Sequence, residues 1–362
     1  MPIEDNPSSA GLHKPSTIKE VAERAGVSTA TVSRVISGSG TVSKKLEKRV
    51  HNAIKTLDFR PNLVARRLRR RNTKMIGVVI SDIQNPFNAV LVEGIESVLQ
   101  ENQFLLLIGN SSDNPQRETQ KLNTFLSEDV TGVIFVCTNE NASYFRKFQE
   151  KGISLVAVDR KPDNLEVDSV QVANADASFR AVNHFLQEGH RRIGLVAGPL
   201  AISTAFERCE GYKRCLNSAG LPIDPELIQV GNFRQDGGYR AMGSLLDLSN
   251  PPSAVLVSNN LMTLGALQMI HERGLDIPGE ISLIGFDDMP WATSLHPPLT
   301  VIAQPVYEMG AIAANLLLAR IAKPGGSIQH VTLETKLIVR ASCSCRNGMK
   351  SVAPKPAFNL EK

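Results

Sequence analysis

The chain has 362 residues, of which 42% are hydrophobic and 21% are charged, a composition typical of soluble globular proteins. This length suffices for two or three compact units. No apolar run approaches the roughly 18 residues of a membrane span, and residues 1–15 contain no apolar core of the kind found in signal peptides. The sequence therefore predicts a cytoplasmic protein with no membrane partner.

Charge is distributed unevenly along the chain, although the net charge is only +4. Residues 1–74 contain 16 Lys and Arg against 6 Asp and Glu, a balance of +10, whereas the rest contains 24 against 30, a balance of −6. A basic segment on a mildly acidic body favours a polyanionic partner, most commonly nucleic acid.

Cysteine and histidine patterns do not indicate a metal site. The five cysteines are scattered except for Cys343 and Cys345, which have no second pair or nearby histidine to complete four zinc ligands. We expect reduced thiols, no metal and no cofactor.

Three short helices are predicted in the basic segment, after residues 1–15, which are expected to be disordered. Thr17 and Glu20 form a capping-box pattern, and Gly26 ends the first helix. Ser28 caps the second helix, and the third begins near Ser43. Apolar positions recur at helical spacing in all three helices, which predicts a helix-turn-helix domain over residues 16–60.

The exposed face of the second helix favours DNA binding over a small helical bundle without a partner. It carries Thr29, Ala30, Ser33 and Arg34, which are suited to a close approach to base edges, and arginine can donate two hydrogen bonds to guanine. The surrounding basic residues would contact phosphates; they are Lys19, Lys44, Lys45, Lys48 and Arg49.

Residues 61–74 form a connector in which five arginines follow Pro61. A solvated linker is one interpretation. The other is a helix over 62–69, too short to persist alone in water, which places Val64 and Leu68 on one stripe. In a dimer, Val64 could be buried at the symmetry axis while Leu68 enters a bent minor groove. The arginines would repel one another without phosphates, so this helix would form on DNA.

From Met75 onward, apolar runs alternate with segments of helical periodicity. The runs are MIGVVI, FLLLIG, GVIFVC, SLVAVD, RIGLVAG, AVLVSN and ISLIGFD, and helices are expected at 88–102, 115–128, 174–189, 204–219, 235–248, 260–273 and 306–322. This alternation predicts parallel sheets covered on both faces. About 270 residues exceed one doubly wound sheet, so we expect two lobes. Lobe one would span about 75–172 and 304–332, and lobe two about 173–303 and 333–345.

Ligands of such sheets bind beyond the carboxyl ends of strands, where this sequence places polar and aromatic residues. Carboxylates and a guanidinium can exchange paired hydrogen bonds with adjacent hydroxyls, and aromatic rings can cover an apolar sugar face. The alternative is that each is only a strand-end turn or a helix cap. The candidates from strand ends are Phe87, Asp159, Thr204, Phe206, Arg208, Asn259, Asp287, Trp291 and Gln304.

Residues 17–77 resemble the DNA-binding head of the lactose/galactose repressor (LacI/GalR) family of bacterial transcription regulators. The resemblance rests on IKEVAERAGVSTATVSRVISG and FRPNLVARRLRRRNTKMIGVVISDIQNPF. It extends to about residue 345 through GPLAISTAFERCEGY, VSNNLMTLGAL and ISLIGFDDMPWATSLHPPLTVIAQP. It implies an all-α helix-turn-helix head and an α/β body of two doubly wound parallel-sheet lobes, similar to type I periplasmic sugar-binding proteins.

The resemblance implies a homodimer that binds a pseudo-palindromic operator, with Thr29, Ala30 and Arg34 as base readers and Leu68 as the hinge leucine. Such a regulator would be nucleoid-associated. The full set of predicted DNA-binding residues is Thr17, Ser28, Thr29, Ala30, Thr31, Ser33, Arg34, Arg60, Asn62, Val64, Ala65, Arg66 and Leu68.

In the body, the resemblance implies that Arg208, Asn259, Asp287 and Gln304 hold effector hydroxyls. Phe233 would be an aromatic against the ligand, and Asp159 and Phe87 would lie in the opposite lobe. Purine-responsive members use two adjacent aromatics where this chain has Phe87-Asn88, which favours a sugar, sugar acid or sugar phosphate.

Two departures from the family accompany this match. Asn260 replaces an acidic residue found in many members. Residues 346–362 lack heptads, which predicts a disordered tail and no coiled-coil tetramer.

The function expected is an effector-controlled transcription regulator, most simply a repressor. A regulator that answers to a purine or another metabolite is the alternative. An enzyme acting on sugars is disfavoured, because there is no P-loop, G-x-S-x-G or H-E-x-x-H motif. An exported sugar-binding protein would need a signal peptide and would not need a basic head.

Overall fold

The computed structural model describes residues 16–37, 42–59, 74–138, 143–162 and 164–343. The chain separates into two compact units, one up to Thr73 and one from Lys74. Several predictions lie outside the described residues: those for 1–15, for the hinge, for the tail, and for the roles of Arg60, Asn62, Val64, Ala65, Arg66 and Leu68.

The first unit contains three helices, α1 (Ile18–Ala25), α2 (Thr29–Ser37) and α3 (Lys44–Thr56). The Thr17–Glu20 capping box is present, and Gly26 ends α1 in the left-handed conformation with φ of 59°, which glycine adopts without steric cost. Val21, Val32 and Val50 contribute one residue from each helix to the shared apolar core. The predicted helix-turn-helix is therefore confirmed.

The second unit contains two six-stranded sheets. In the first, all pairs are parallel and the order is β11-β5-β4-β3-β1-β2. Its strands are β1 (Met75–Ile80), β2 (Leu105–Asn110), β3 (Gly132–Phe135), β4 (Ser154–Val158), β5 (Asp168–Val172) and β11 (His330–Leu333).

The second sheet has the order β12-β10-β9-β8-β6-β7, with β12 antiparallel to β10 and the other pairs parallel. Its strands are β6 (Ile193–Ala197), β7 (Ile228–Val230), β8 (Ala254–Val257), β9 (Ser282–Phe286), β10 (Thr300–Ala303) and β12 (Lys336–Ile338). The expected pair of mainly parallel α/β lobes is confirmed.

Helices cover both sheets. The first lobe uses α4 (Pro86–Glu101), α5 (Pro115–Ser127), α6 (Ser143–Glu150) and α11 (Val306–Ala322). The second uses α7 (Asn174–Gln187), α8 (Ser203–Ser218), α9 (Gln235–Leu246) and α10 (Asn260–Glu272). Among the described residues, the chain passes between lobes after β5, β10 and β11.

Several elements of the body were not predicted from the apolar runs. Helix α6 was not expected, yet its Phe145 and Phe148 are fully buried under the first sheet. Strand β5 was missed because Asp168, Ser169 and Gln171 interrupt its apolar pattern. The short edge strands β7 and β11 are partly exposed and carry too few apolar residues to stand out.

Candidate functional site

The exposed face of α2 is the candidate DNA-reading surface of the head. Thr29, Ala30, Ser33 and Arg34 are exposed on this helix, whereas Val32 is completely buried. The helix is thus held by its apolar side and leaves short polar side chains and one arginine outward, as the sequence predicted.

Three polar residues of the head, Ser28, Thr31 and Arg49, have structural roles. The Ser28 hydroxyl accepts a hydrogen bond from the backbone N–H of Thr31 at 3.2 Å and lies 3.0 Å from the Thr31 hydroxyl. Arg49 donates from Nη2 to the carbonyl oxygen of Gly26 at 3.4 Å, so part of its donor capacity supports the turn between α1 and α2. Ser28 and Thr31 therefore fix the start of α2.

In the body, a cavity lies at the carboxyl ends of strands from both sheets and contains about 470 Å³ of empty space, part of it open to solvent. Its lining consists of Ser81, Asp82, Asn85, Phe87, Asp113, Asp159, Arg160, Thr204, Arg208, Phe233, Asn259, Leu261, Asp287 and Gln304.

Asp159 and Asp287 occupy equivalent places in the two lobes. Asp159 follows β4 and donates its N–H to Val170 on β5; Asp287 follows β9 and donates its N–H to Ile302 on β10. Both have positive φ, 63° and 72°, a conformation that aspartate tolerates better than most residues. The backbone thus turns both carboxyl groups toward the cavity immediately after a buried strand.

Arg208 is a fixed guanidinium on α8. It donates from Nε to Asn174 Oδ1 at 2.8 Å and from Nη1 to the Ser258 carbonyl at 2.6 Å. Its Cζ lies 3.9 Å from the centre of the Phe286 ring. These contacts restrain the side chain before any ligand binds, which reduces the conformational entropy lost on binding.

Arg160 forms a second cationic centre in the first lobe. Its Nη1 lies 2.6 Å from Asp113 Oδ1, and its Nε lies 3.7 Å from Asp159 Oδ2. Its Cζ is 5.4 Å from the ring centre of Phe233, which belongs to the second lobe. Arg160 therefore links residues from both sides of the cavity.

Two amides are positioned by bonds within the second lobe. Asn259 Oδ1 caps α10 by accepting from Met262 N–H, and its Nδ2 donates to the Phe233 carbonyl at 2.9 Å. Gln304 Nε2 donates to Asp287 Oδ1 at 2.5 Å. Phe233 has φ of 60°, which is unusual for a bulky residue, and the Asn259 bond helps to hold it there.

Burial shifts the pKa values of the ionisable groups that line the cavity. It raises the pKa of the Asp159 carboxyl, partly opposed by Arg160 and Arg208, and it raises the pKa of Asp287, partly opposed by Arg208. Burial lowers the pKa of Arg208, while Asp287 and Asp159 act in the opposite direction. Each of these ionised groups would be unfavourable alone in a buried position, and the oppositely charged groups nearby stabilise it.

Eight of the ten residues predicted for an effector line this cavity. They are Phe87, Asp159, Thr204, Arg208, Phe233, Asn259, Asp287 and Gln304. The other two do not line it: the Phe206 side chain is 52% exposed, and Trp291 packs against the apolar core of the second lobe. Both follow a strand end closely in sequence, but the helical turns in which they lie direct them elsewhere.

The sequence prediction omitted three charged lining residues, Asp82, Asp113 and Arg160. All three follow strands, so strand-end position was a usable signal. Asp82 follows β1, Asp113 follows β2 within a loop at φ of 53°, and Arg160 is next to Asp159.

Comparison with known proteins identifies the chain's family. Residues 17–62 match the family model for bacterial regulatory proteins of the lacI family, and residues 182–343 match that for a periplasmic binding protein-like domain. The ribose operon repressor of Haemophilus influenzae is 36% identical over 329 residues, covering 90% of this chain and 98% of the relative. The chain belongs to the LacI family.

Solved structures of the LacI family align along almost the whole chain. The lac repressor dimer bound to operator and the anti-inducer ONPF is 27% identical with a TM-score of 0.80, covering 91% of this chain and 100% of that one. The complex of the transcriptional regulator CelR with cellobiose is 32% identical with a TM-score of 0.69, covering 90% and 99%. This LacI-family protein is accordingly a DNA-binding transcription regulator. None of its described helices has the length and apolarity needed to cross a membrane.

Proposed function

We propose that this regulator is a homodimeric repressor whose affinity for a pseudo-palindromic operator is controlled by a small sugar-like effector in the cleft between the lobes. The observation that carries the proposal is the cavity itself, in which carboxylates, two guanidinium groups, amides and aromatic rings from both lobes meet. This combination suits adjacent hydroxyl groups on an apolar ring.

The effector role is assigned to the eight predicted residues that line the cavity, together with Asp113 and Arg160. Asp159 and Asp287 would accept hydrogen bonds from ligand hydroxyls, and Arg208 would donate. Phe87 and Phe233 are buried side chains of opposite lobes, suited to the two faces of a sugar ring. The relatives named for ribose and cellobiose support this class of ligand.

A purine is disfavoured by Asn88, the residue after Phe87. The Asn88 side chain is completely buried and donates from Nδ2 to the Ser81 hydroxyl and to the Asp82 carbonyl oxygen. Position 88 therefore holds an amide that bonds the loop after β1, and no second aromatic ring follows Phe87 to stack against a base.

Control of DNA affinity would follow from a ligand that contacts both lobes. Such a ligand stabilises one relative placement of the lobes, and a preference for one conformation is the only way in which binding can shift an equilibrium. We propose that residues 61–74 transmit this preference to the head, and that the head reads the operator through α2.

The proposal is tested by fluorescence anisotropy with the full chain and an operator selected from random DNA. A sugar that raises the melting temperature is then titrated into the complex. An operator affinity changed by about 5- to 150-fold is expected for typical coupling. An unchanged affinity at saturating sugar contradicts effector control.

The same samples test the proposal that the protein is not an enzyme. After prolonged incubation, NMR of the small-molecule fraction should recover the sugar unchanged. Accumulation of a product in proportion to protein concentration would contradict a purely regulatory role.

A further inference from the structure

The cavity is electrically asymmetric. Its lining contains four carboxyl groups, those of Asp82, Asp113, Asp159 and Asp287, and two guanidinium groups, those of Arg160 and Arg208. With all six groups ionised, two positive charges against four negative ones leave a balance of −2. Glu207 accepts a hydrogen bond from Asn174, and Arg234 Nη2 lies 3.9 Å from Asp82 Oδ2. These two flanking residues carry opposite charges and leave the balance unchanged.

Both guanidinium groups already interact electrostatically with carboxylates of the cavity. Arg160 pairs with Asp113 at 2.6 Å and lies 3.7 Å from Asp159. Arg208 donates hydrogen bonds to Asn174 and to the Ser258 carbonyl, and the carboxylates of Asp287 and Asp159 stabilise its positive charge. A phosphate or carboxylate on the ligand would therefore meet cations whose charge is already compensated.

One neutral group of the cavity, the Gln304 amide, also lacks a hydrogen-bond donor within the described part of the chain. Gln304 points its Nε2 at Asp287 Oδ1, and its Oε1 is buried with no hydrogen-bond partner among the described residues. The opposite amide orientation would place Oε1 against the Asp287 carboxylate. A hydroxyl group can donate to Oε1, whereas an ionised phosphate or carboxylate oxygen can only accept.

Helix N-termini often bind anions, and two of those beside the cavity are capped by side chains. Asn85 Oδ1 accepts from Phe87 N–H at α4, and Asn259 Oδ1 accepts from Met262 N–H at α10. Helices α8 and α9 have no side-chain cap, at Ile202 and Arg234. Each terminus is equivalent to about half a positive charge, so the two together do not offset a formal balance of −2.

We infer that the effector is an uncharged polyol, that is, a neutral sugar or sugar alcohol, and that the cleft rejects sugar phosphates and sugar acids. This inference rests on the proposed effector role of the cleft and narrows it. Burial and the Asp113 carboxylate both raise the pKa of Asp159. A negatively charged ligand beside Asp159 would likewise disfavour the ionised carboxylate, and this repulsion would weaken binding.

The inference is tested by isothermal titration calorimetry of the full chain with matched compounds. The panel contains neutral pentoses, hexoses and cellobiose, and the terminal phosphate and the aldonate of each. At least one neutral member should bind, and its phosphate and aldonate should bind at least about tenfold more weakly, a difference of about 1.4 kcal/mol.

A charged derivative that binds as tightly as its neutral parent overturns the inference and leaves the sugar-effector function standing. If no compound binds, neutral or charged, the effector function fails together with the inference. The two failures are therefore distinguishable.

Asp113→Asn provides an internal test, because it removes one negative charge and frees Arg160. The ratio of the dissociation constant of the phosphate to that of its neutral parent should fall at least about threefold. The matched control is Asp176→Asn, which removes the same charge from the exposed pair with Arg214 and should leave the ratio unchanged. A ratio that is the same in both variants and in the parent protein overturns the electrostatic basis of the inference.

Discussion

Asn260 of the second lobe donates from Nδ2 to Oδ1 of Asn85 in the first lobe over 2.8 Å, a direct hydrogen bond between lobes at the edge of the cavity. Asn85 Oδ1 also accepts from the N–H of Phe87 at 3.0 Å, which fixes its amide orientation. Only a donor at position 260 can complete this link, and Asn260 is 1% exposed.

Asn260→Asp should weaken effector binding, because a carboxylate would face the Asn85 oxygen and lie near Asp287. Loss of one hydrogen bond worth about 0.5–1.5 kcal/mol corresponds to roughly two- to tenfold. Calorimetric titration of the effector measures this. Asn315→Asp, at an exposed position on α11, is the control and should bind the effector normally. Equal affinities of both variants would show that the hydrogen bond between lobes does not contribute to effector binding.

Arg208→Lys should uncouple the effector from DNA. Lysine retains the charge but cannot reproduce the fork that reaches Asn174 and Ser258. Because buried acceptors lose their partners, we expect destabilisation of about 1–3 kcal/mol, measured by urea unfolding. Operator binding without effector should persist while the response to effector disappears. A normal response would remove Arg208 from the proposed site.

Asp159→Asn should stabilise the ligand-free protein, on the order of 1 kcal/mol, because it removes a buried charge. The folded-state pKa of Asp159 is raised above the ordinary 3.8, so the carboxyl group costs stability as pH rises from that value through the raised pKa. The advantage of the variant should therefore grow with pH in this window and then stay constant.

Urea unfolding of the Asp159→Asn variant and the parent protein, from about pH 4, near the ordinary pKa of aspartate, up to neutral pH, measures this difference. The effector affinity of the variant should fall at the same time. A variant that is less stable than its parent at neutral pH would show that the Arg160 and Arg208 attractions outweigh the cost of burial.

Arg34→Ala should reduce operator affinity by about tenfold or more if this arginine makes a bidentate contact with guanine, and should affect nonspecific DNA much less. Anisotropy titrations with operator and scrambled DNA at the same salt concentration give both values. Lys55→Ala on α3 removes one exposed charge as a control, and equal losses on the two DNAs for Arg34→Ala would assign Arg34 to phosphate contact alone.

Much of the fold was predictable because its signals are local. Thr17 with Glu20 specifies a helix start, and continuous apolar runs such as MIGVVI specify buried parallel strands. Strand β5 was not predictable in this way, since the buried carboxylate of Asp168 is compensated by Arg320 on α11, which pairs with it at 2.7 Å. A contact across 152 residues leaves no local trace in sequence.

The site was predictable where a residue directly follows a strand, as Asp159 and Asp287 do. Beyond the strand end, orientation depends on loop and helix geometry, which explains why Phe206 was included and Asp113 was not. The pairing of Asp113 with Arg160 requires two loops to meet, and the charge balance of the cavity became visible only when these loops were placed together.

The most direct test of effector control is thermodynamic reciprocity. The dissociation constant of the effector is measured by calorimetry with the free protein and with the protein saturated by operator, and that of the operator is measured with and without saturating effector. Linkage requires the two ratios to be equal, and we predict equal ratios of about 5- to 150-fold. An effector affinity that is the same with and without operator would contradict control of DNA binding by the cleft.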